Sequence, residues 1–201
     1  MKKKEPEKLQ ITTSLTKGAV QLVNHLKELY KGWEGVKQFQ DTDLRLVKLY
    51  EELCWSPAKI EEELRKCLKT FKDGYSEMLV TGPTEVWTLC PHHLLPCLFR
   101  VTVGYLPHQR VLGLSKFSRI AIIMGKRPIM QEAYSEELSK WLDKNLRPEG
   151  TAVYVSGTHG CMQARGIKQN AEVVTSVLKG DFLKLPETRA EFYAIARNSR
   201  R

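Results

Sequence analysis

The sequence predicts an α+β protein, and three observations carry that expectation. Apolar residues recur at helical spacing through the first third of the chain, the period changes to that of strands after Gly82-Pro83, and two helical stretches then separate two pairs of strand-like segments. From Leu15 to Tyr30 the apolar positions Ala19, Leu22, Val23, Leu26, Leu29 and Tyr30 share a helical face, and Gly32 follows as a stop signal. A second helix is expected from about Asp43 to Cys54, capped by Asp41 or Thr42. Ser56-Pro57 supplies the N-cap and first-turn proline of a third, reaching about Phe71.

Beyond the Gly82-Pro83 turn, Glu85 to Cys90, Leu98 to Tyr105 and Gly150 to Gly157 are rich in Val, Thr, Tyr and Trp and read as strands. Helices are expected over Lys116 to about Gly125 and about Ile129 to Leu146. Glu172 to Leu178 is a further strand, and Pro186-Glu187-Thr188 opens a last helix. The order implies an antiparallel sheet with helices on one face, preceded by a helical N-terminal extension (1–75) and followed through 76–201 as one domain.

Composition narrows the class. A chain of 201 residues with 42% hydrophobic and 27% charged residues can bury one sizeable core. Its longest apolar run, around Ile120 to Met124, falls short of the roughly 20 residues that span a bilayer. The Met1-Lys2-Lys3-Lys4-Glu5-Pro6 start leads into no apolar h-region, so a cytoplasmic protein with no membrane partner is expected. Five cysteines at irregular spacing point to thiols or metal ligands rather than a disulfide framework. The net charge of +9 is spread along the chain, which suits a small polyanionic substrate as well as nucleic acid.

The chemistry concentrates in two short segments. Cys90-Pro91-His92-His93 and His159-Gly160-Cys161 offer two thiolates and an imidazole to one ion if the strand ends converge. Zinc takes such ligands tetrahedrally, and three protein ligands leave a fourth position for water, which the metal makes acidic. A closed structural site with Cys97, His92 or His159 as fourth ligand fits the spacing equally well. Gly113-Leu114-Ser115-Lys116-Phe117-Ser118-Arg119 sets Lys116 and Arg119 at i and i+3 near a helix N-terminus, a seat for phosphate or else a solvated basic face. Arg165 lies four positions beyond Cys161.

Taken together, Cys90-x-His92-His93-Leu94-Leu95-Pro96, Gly113-Leu114-Ser115-Lys116-x-x-Arg119, Arg127-Pro128-x-x-Gln131-Glu132 and His159-x-Cys161-Met162-x-x-Arg165-Gly166 resemble the signature segments of GTP cyclohydrolase I, in order, over about residues 84–182. Asp41-Thr42-x-x-Arg45-x-x-Lys48 resembles a helix of that family ending in an Arg-x-x-Lys pair. The resemblance implies the tunnelling fold and a Zn2+ cofactor held by Cys90, His93 and Cys161. It also implies hydrolysis of the guanine imidazole ring of GTP, with release of formate and formation of 7,8-dihydroneopterin triphosphate. His92 and His159 would transfer protons, with His159 serving N7, and Ser115 would lie near the ribose. Glu132 would accept from the N1–H and 2-amino edge of guanine beside Gln131. Lys116, Arg119 and Arg165, helped by Arg45 and Lys48, would hold the triphosphate. A homo-oligomer, a toroidal decamer with active sites between subunits, is implied as well.

The sequence departs from the family pattern at Pro91, where the family usually has Glu, at Cys97, where an aromatic or aliphatic residue is expected, and at Phe99, where glycine is frequent. The family's Thr-rich strand is reduced to Glu172-Val173-Val174-Thr175-Ser176. Rival readings keep the same residues: action on dGTP, arrest at the formamidopyrimidine, a zinc-stabilised basic nucleic-acid-binding module, or a relative with a nucleophilic cysteine acting on a deazapurine. Cys54 and Cys67 read as small core residues, and Trp33, Trp55, Trp87 and Trp141 as packing groups. His25 and His108 have no partner that the sequence names.

Overall fold

Strand residues that alternate between two apolar faces need a layer on each side, and the chain provides both. The computed structural model describes residues 7–72, 75–108 and 110–198, with side chains from Ser14 onward. It divides into two compact units, one up to Glu52 and one from Leu53. In the first unit, α1 (Glu7–Leu29) begins well before the apolar pattern, and a 3-10 turn (Glu34–Phe39) leads into α2 (Thr42–Leu53). The Tyr30 ring stacks against Phe39, with centroids 6.4 Å apart.

The second unit opens with α3 (Pro57–Cys67), whose Ser56 hydroxyl accepts from Lys59 N at 3.3 Å as the sequence leads one to expect. The helix stops short of Phe71. Thr70 to Lys72 form β1 instead, pairing antiparallel with β4 (Arg110–Leu112), because backbone pairing there outweighs another helical turn. The main sheet has four antiparallel strands in the order β2 (Leu79–Leu89), β3 (Pro96–Leu106), β5 (Gly150–His159) and β6 (Val173–Gly180). The Gly82-Pro83 pair is not a turn before the sheet. It lies inside β2 as a bulge between Thr81 and Thr84, where Gly82 has φ +124 and a Cβ would sit 2.5 Å from Val101 O.

Helices α4 (Leu114–Met124) and α5 (Gln131–Leu146) cover one face of this sheet, as expected. Phe99, Val101, Val103, Tyr105, Val153 and Val155 meet Phe117, Ile120, Tyr134 and Leu138 there, with Ile60 and Leu64 of α3 in the same core. The structure adds a smaller layer on the opposite face, which the sequence pattern does not reveal. Short α7 (Asp181–Lys184) and α8 (Pro186–Asn198) press Phe182 and Phe192 against Ala152 and Tyr154. Small residues make room for it: a Cβ on Gly104 would come within 2.7 Å of the Phe192 ring. Among the described residues no helix is long and apolar enough to cross a membrane.

Gly104→Val should therefore displace Phe192 and lower stability by about 1–3 kcal/mol, the usual cost of overpacking. Thermal and urea unfolding read the change directly, and an unaltered midpoint would show that the second layer contributes nothing.

Candidate active site

Antiparallel pairing brings three strand termini to one end of the sheet. Leu89 at the end of β2 pairs with Pro96 at the start of β3, and Cys97 pairs with His159 at the end of β5. The six residues between β2 and β3 form a tight loop, closed by Cys90 N to Leu95 O at 2.9 Å and Leu94 N to Cys90 O at 2.8 Å, with Leu94 at φ 53. Both bonds close around Pro91, whose missing N–H is therefore not needed by the loop. Directly after β5 the single-turn α6 (Gly160–Gln163) carries Cys161.

The Cys90, His93 and Cys161 ligand atoms lie within 4.8 Å of one another. His93 Nδ1 is 3.5 Å from Cys90 Sγ. Cys90 is buried, Cys161 half-buried and His93 exposed. Burial, then the hydrogen bond and charge of Cys90, raise the Cys161 thiol, while Arg165 pulls it down. Two thiols this close beside an imidazole form a donor set that a soft divalent cation would satisfy. Cys97 stands apart from this triad: burial first, then Cys161 and Cys90, push its thiol up to about 11.

A cavity of about 190 Å³ opens over the triad. His92, Glu132 and His159 line it together with the three ligands. Glu132 arrives because Ile129 N donates to Leu89 O at 3.1 Å, tying the start of α5 to the end of β2. Its carboxylate is exposed on the single chain. Burial pushes the His159 imidazole down, and the charge of Glu132 opposes that. His159 Nε2 lies 2.9 Å from Gln131 Oε1, and the Phe99 ring centroid is 5.7 Å from that of His159. Gln131 itself is buried, with its amide facing β5 and β6. Arg165 Nη1 contacts His93 Nε2.

Three other sequence-predicted residues of this unit, Ser115, Lys116 and Arg119, do not join this cluster. Between the metal loop and α4, β3 carries the chain roughly 33 Å towards the opposite end of the sheet. Ser115, Lys116 and Arg119 lie there at the start of α4, where Phe117 packs on Tyr105, with ring centroids 5.4 Å apart. Closeness in sequence to the metal loop does not become closeness in space within one chain. Lys116 and Arg119 instead exert their charge on Cys67. Arg45 and Lys48 are exposed on α2, with Arg45 Nη1 donating to Gln40 O at 2.7 Å.

Among the residues read as bland, Cys67 is buried and Cys54 half-buried. Trp141 and Trp55 pack on the main core, whereas Trp33 and Trp87 are about half exposed, at 54% and 50%. His108 pairs with Glu149. Sequence reasoning missed Ser135 and Thr175, which stand behind Gln131. Their signal was faint: a serine four residues after Gln131, on the inward face of α5.

A family model, GTP cyclohydrolase I, matches residues 9–197. The chain belongs to the GTP cyclohydrolase I family. The GTP cyclohydrolase 1 of Homo sapiens is 39% identical over 129 residues, covering 64% of this chain and 52% of the human protein. The chain thus spans about half the length of that relative. The GTP cyclohydrolase 1 of Aquifex aeolicus is 35% identical over 168 residues, covering 82% of this chain and 85% of its own length. Among solved structures, the archaeosine synthase QueF-Like in the apo form matches at 20% identity and a TM-score of 0.44, over 54% of this chain and 97% of that one.

If the triad holds the metal without Cys97, Cys161→Ala should lose bound divalent metal after purification, whereas Cys97→Ala keeps it at one equivalent per chain, as a three-ligand site requires. Elemental analysis of both variants decides the point, and metal loss in Cys97→Ala would sink the three-ligand assignment.

Proposed function

We propose that this chain is a zinc-dependent GTP cyclohydrolase I, converting GTP and water to formate and 7,8-dihydroneopterin triphosphate. The observation that carries the reading is the convergence of Cys90, His93 and Cys161 within 4.8 Å on a cavity also lined by His92, His159 and Glu132. Family membership supports it independently.

Cys90, His93 and Cys161 would hold a zinc ion, which would supply a Lewis acid to the reaction. The remaining chemistry belongs to side chains. His159, half-buried on the cavity wall, delivers a proton to N7 as the imidazole ring opens, and His92 serves as the second proton carrier. Glu132 accepts from the N1–H and 2-amino group of guanine, a donor pair that adenine lacks. Exposure of Glu132 on the single chain leaves that edge of the cavity open, so enclosure by another subunit would strengthen the recognition.

Lys116 and Arg119 enter as groups from a second copy. They lie at the far end of the sheet from the cavity, at the exposed N-terminus of α4, where two cations and a positive dipole end suit a triphosphate. In this reading Ser115 approaches the ribose, and Arg165 joins the phosphates from the cavity's own chain, with Arg45 and Lys48 contributing. A closed ring such as the family's toroidal decamer would pair each cavity with a neighbour's α4. The 1–75 and 76–201 division then separates an N-terminal helical part from the catalytic domain.

Purified protein with GTP should release formate and, after oxidation, a fluorescent pterin. Chelation or His159→Ala should lower turnover by at least about 10²-fold, the usual contribution of a general acid–base group. Turnover that survives chelation would rule out the metal-dependent reading. A retained formyl group would mark arrest at ring opening, and a higher kcat/KM with dGTP would change the substrate. Mixing unfolded Lys116→Ala with unfolded His159→Ala chains and refolding them together should restore part of the activity, since some sites then receive both intact halves. No recovery from chains that do reassemble would contradict a shared site.

A further inference from the structure

From the hydrogen bonds behind the cavity we infer that Gln131 is a positioning residue that fixes His159 as the Nε2–H tautomer, so that proton exchange with substrate runs through Nδ1. This rests on the reading of His159 as a proton carrier for the purine ring. Gln131 is 1% exposed and sits at the first position of α5. Its amide nitrogen donates to Val155 O at 3.2 Å and Val173 O at 3.0 Å, and lies 3.2 Å from Thr175 Oγ1. Both carbonyls are acceptors only, so turning the amide over would set an oxygen against two oxygens in a buried place. The orientation of the amide follows from that network, and it leaves Oε1 as the atom that meets His159 Nε2 at 2.9 Å.

An amide oxygen can only accept. His159 must therefore carry its hydrogen on Nε2, whether the ring is neutral or protonated, and Nδ1 is the nitrogen left for the cavity. The hydroxyls behind Gln131 agree with this assignment. Ser135 donates to Gln131 O at 2.9 Å, which spends its only hydrogen, so at 2.7 Å Thr175 donates to Ser135 Oγ. Thr175 is then free only to accept, which again requires the Gln131 nitrogen on its side. The Phe99 ring, 5.7 Å from that of His159 and tilted by 56°, bounds the imidazole on another side.

Sequence has made room for the contact. A Cβ at Gly157 would lie 2.0 Å from Gln131 Oε1, so the bare backbone of β5 lets the amide oxygen reach the imidazole. A side chain at 157 would push aside the same atom that holds His159. Gln131 thus acts on the substrate through His159 rather than by touching the base with its side chain.

The test is nitrogen-15 solid-state NMR on metal-loaded, histidine-labelled protein, with the His159 signals assigned by their loss in His159→Gln. The wild-type protein should show a protonated Nε2 and, in the neutral ring, an unprotonated Nδ1. Gln131→Met, close in shape but without amide atoms, should give mixed or inverted tautomers, and Gly157→Ala should do the same by displacing an intact amide. In Gln131→Met, kcat for GTP should fall by about 10²–10³-fold, with KM within about threefold of the parent's, since chemistry rather than binding is lost. A wild-type signature with the hydrogen on Nδ1 would overturn the inference, whether or not the variants fold. So would a Gln131→Met protein whose KM rises while the His159 signature stays unchanged, for Gln131 would then be binding substrate. If the parent fails to turn over GTP yet loses its tautomer on Gln131→Met, the functional reading falls and the coupling of Gln131 to His159 is upheld.

Discussion

Antiparallel register is the constraint on which the site depends. Cys97 faces His159 across β3 and β5, and Leu89 faces Pro96 across β2 and β3. Side chains alternate along a strand, so a slip of one residue in β5 would turn His159 to the opposite face and carry Cys161 out of reach of Cys90. The buried faces enforce the register: Val153 and Val155 belong to the main core, and Ala152 and Tyr154 to the smaller one. Two apolar layers therefore do more than hold the sheet together. They set the alignment that brings two distant pieces of sequence to one cluster of candidate metal ligands.

The same topology bears on the proposal that the site is shared between two chains. β3 leads away from the loop that carries Cys90 and His93, so the α4 that follows starts at the far end, with Lys116 half-buried and Arg119 exposed near its N-terminus. Edge strands β2 and β6 each leave one side of the sheet without a strand partner among the described residues. Unpaired edges are usually covered in stable proteins. Copies arranged edge to edge would deal with both features together, which is why the proposed division of roles between metal ligands on one chain and phosphate-binding cations on another is physically coherent.

Much of this was legible in the sequence, for reasons that differ by residue. Cys90, His93 and Cys161 could be found because thiolates and imidazole at short spacing are chemically conspicuous, and the later strands because Val, Thr and Tyr alternate. Two elements were misread for local reasons. Gly82-Pro83 has the composition of a turn yet forms a bulge within β2, and Thr70 and Phe71 leave α3 for a two-stranded pairing with residues forty positions away. The spatial separation of Lys116 from the metal loop depends on where β3 ends, which no local pattern encodes. Gln131 was visible as a residue but not as a contact, since its partners Val155, Val173 and His159 come from other parts of the chain.

The central claim is an open three-ligand metal centre, and X-ray absorption at the zinc edge of the purified protein tests it most directly. The account predicts two sulfur neighbours, one imidazole nitrogen and one further light atom that is replaced when a competing anion is added, as expected for an open tetrahedral zinc site. Three sulfur neighbours would mean that Cys97 closes the centre. In that case the site would be structural, contradicting the proposed chemistry at its source.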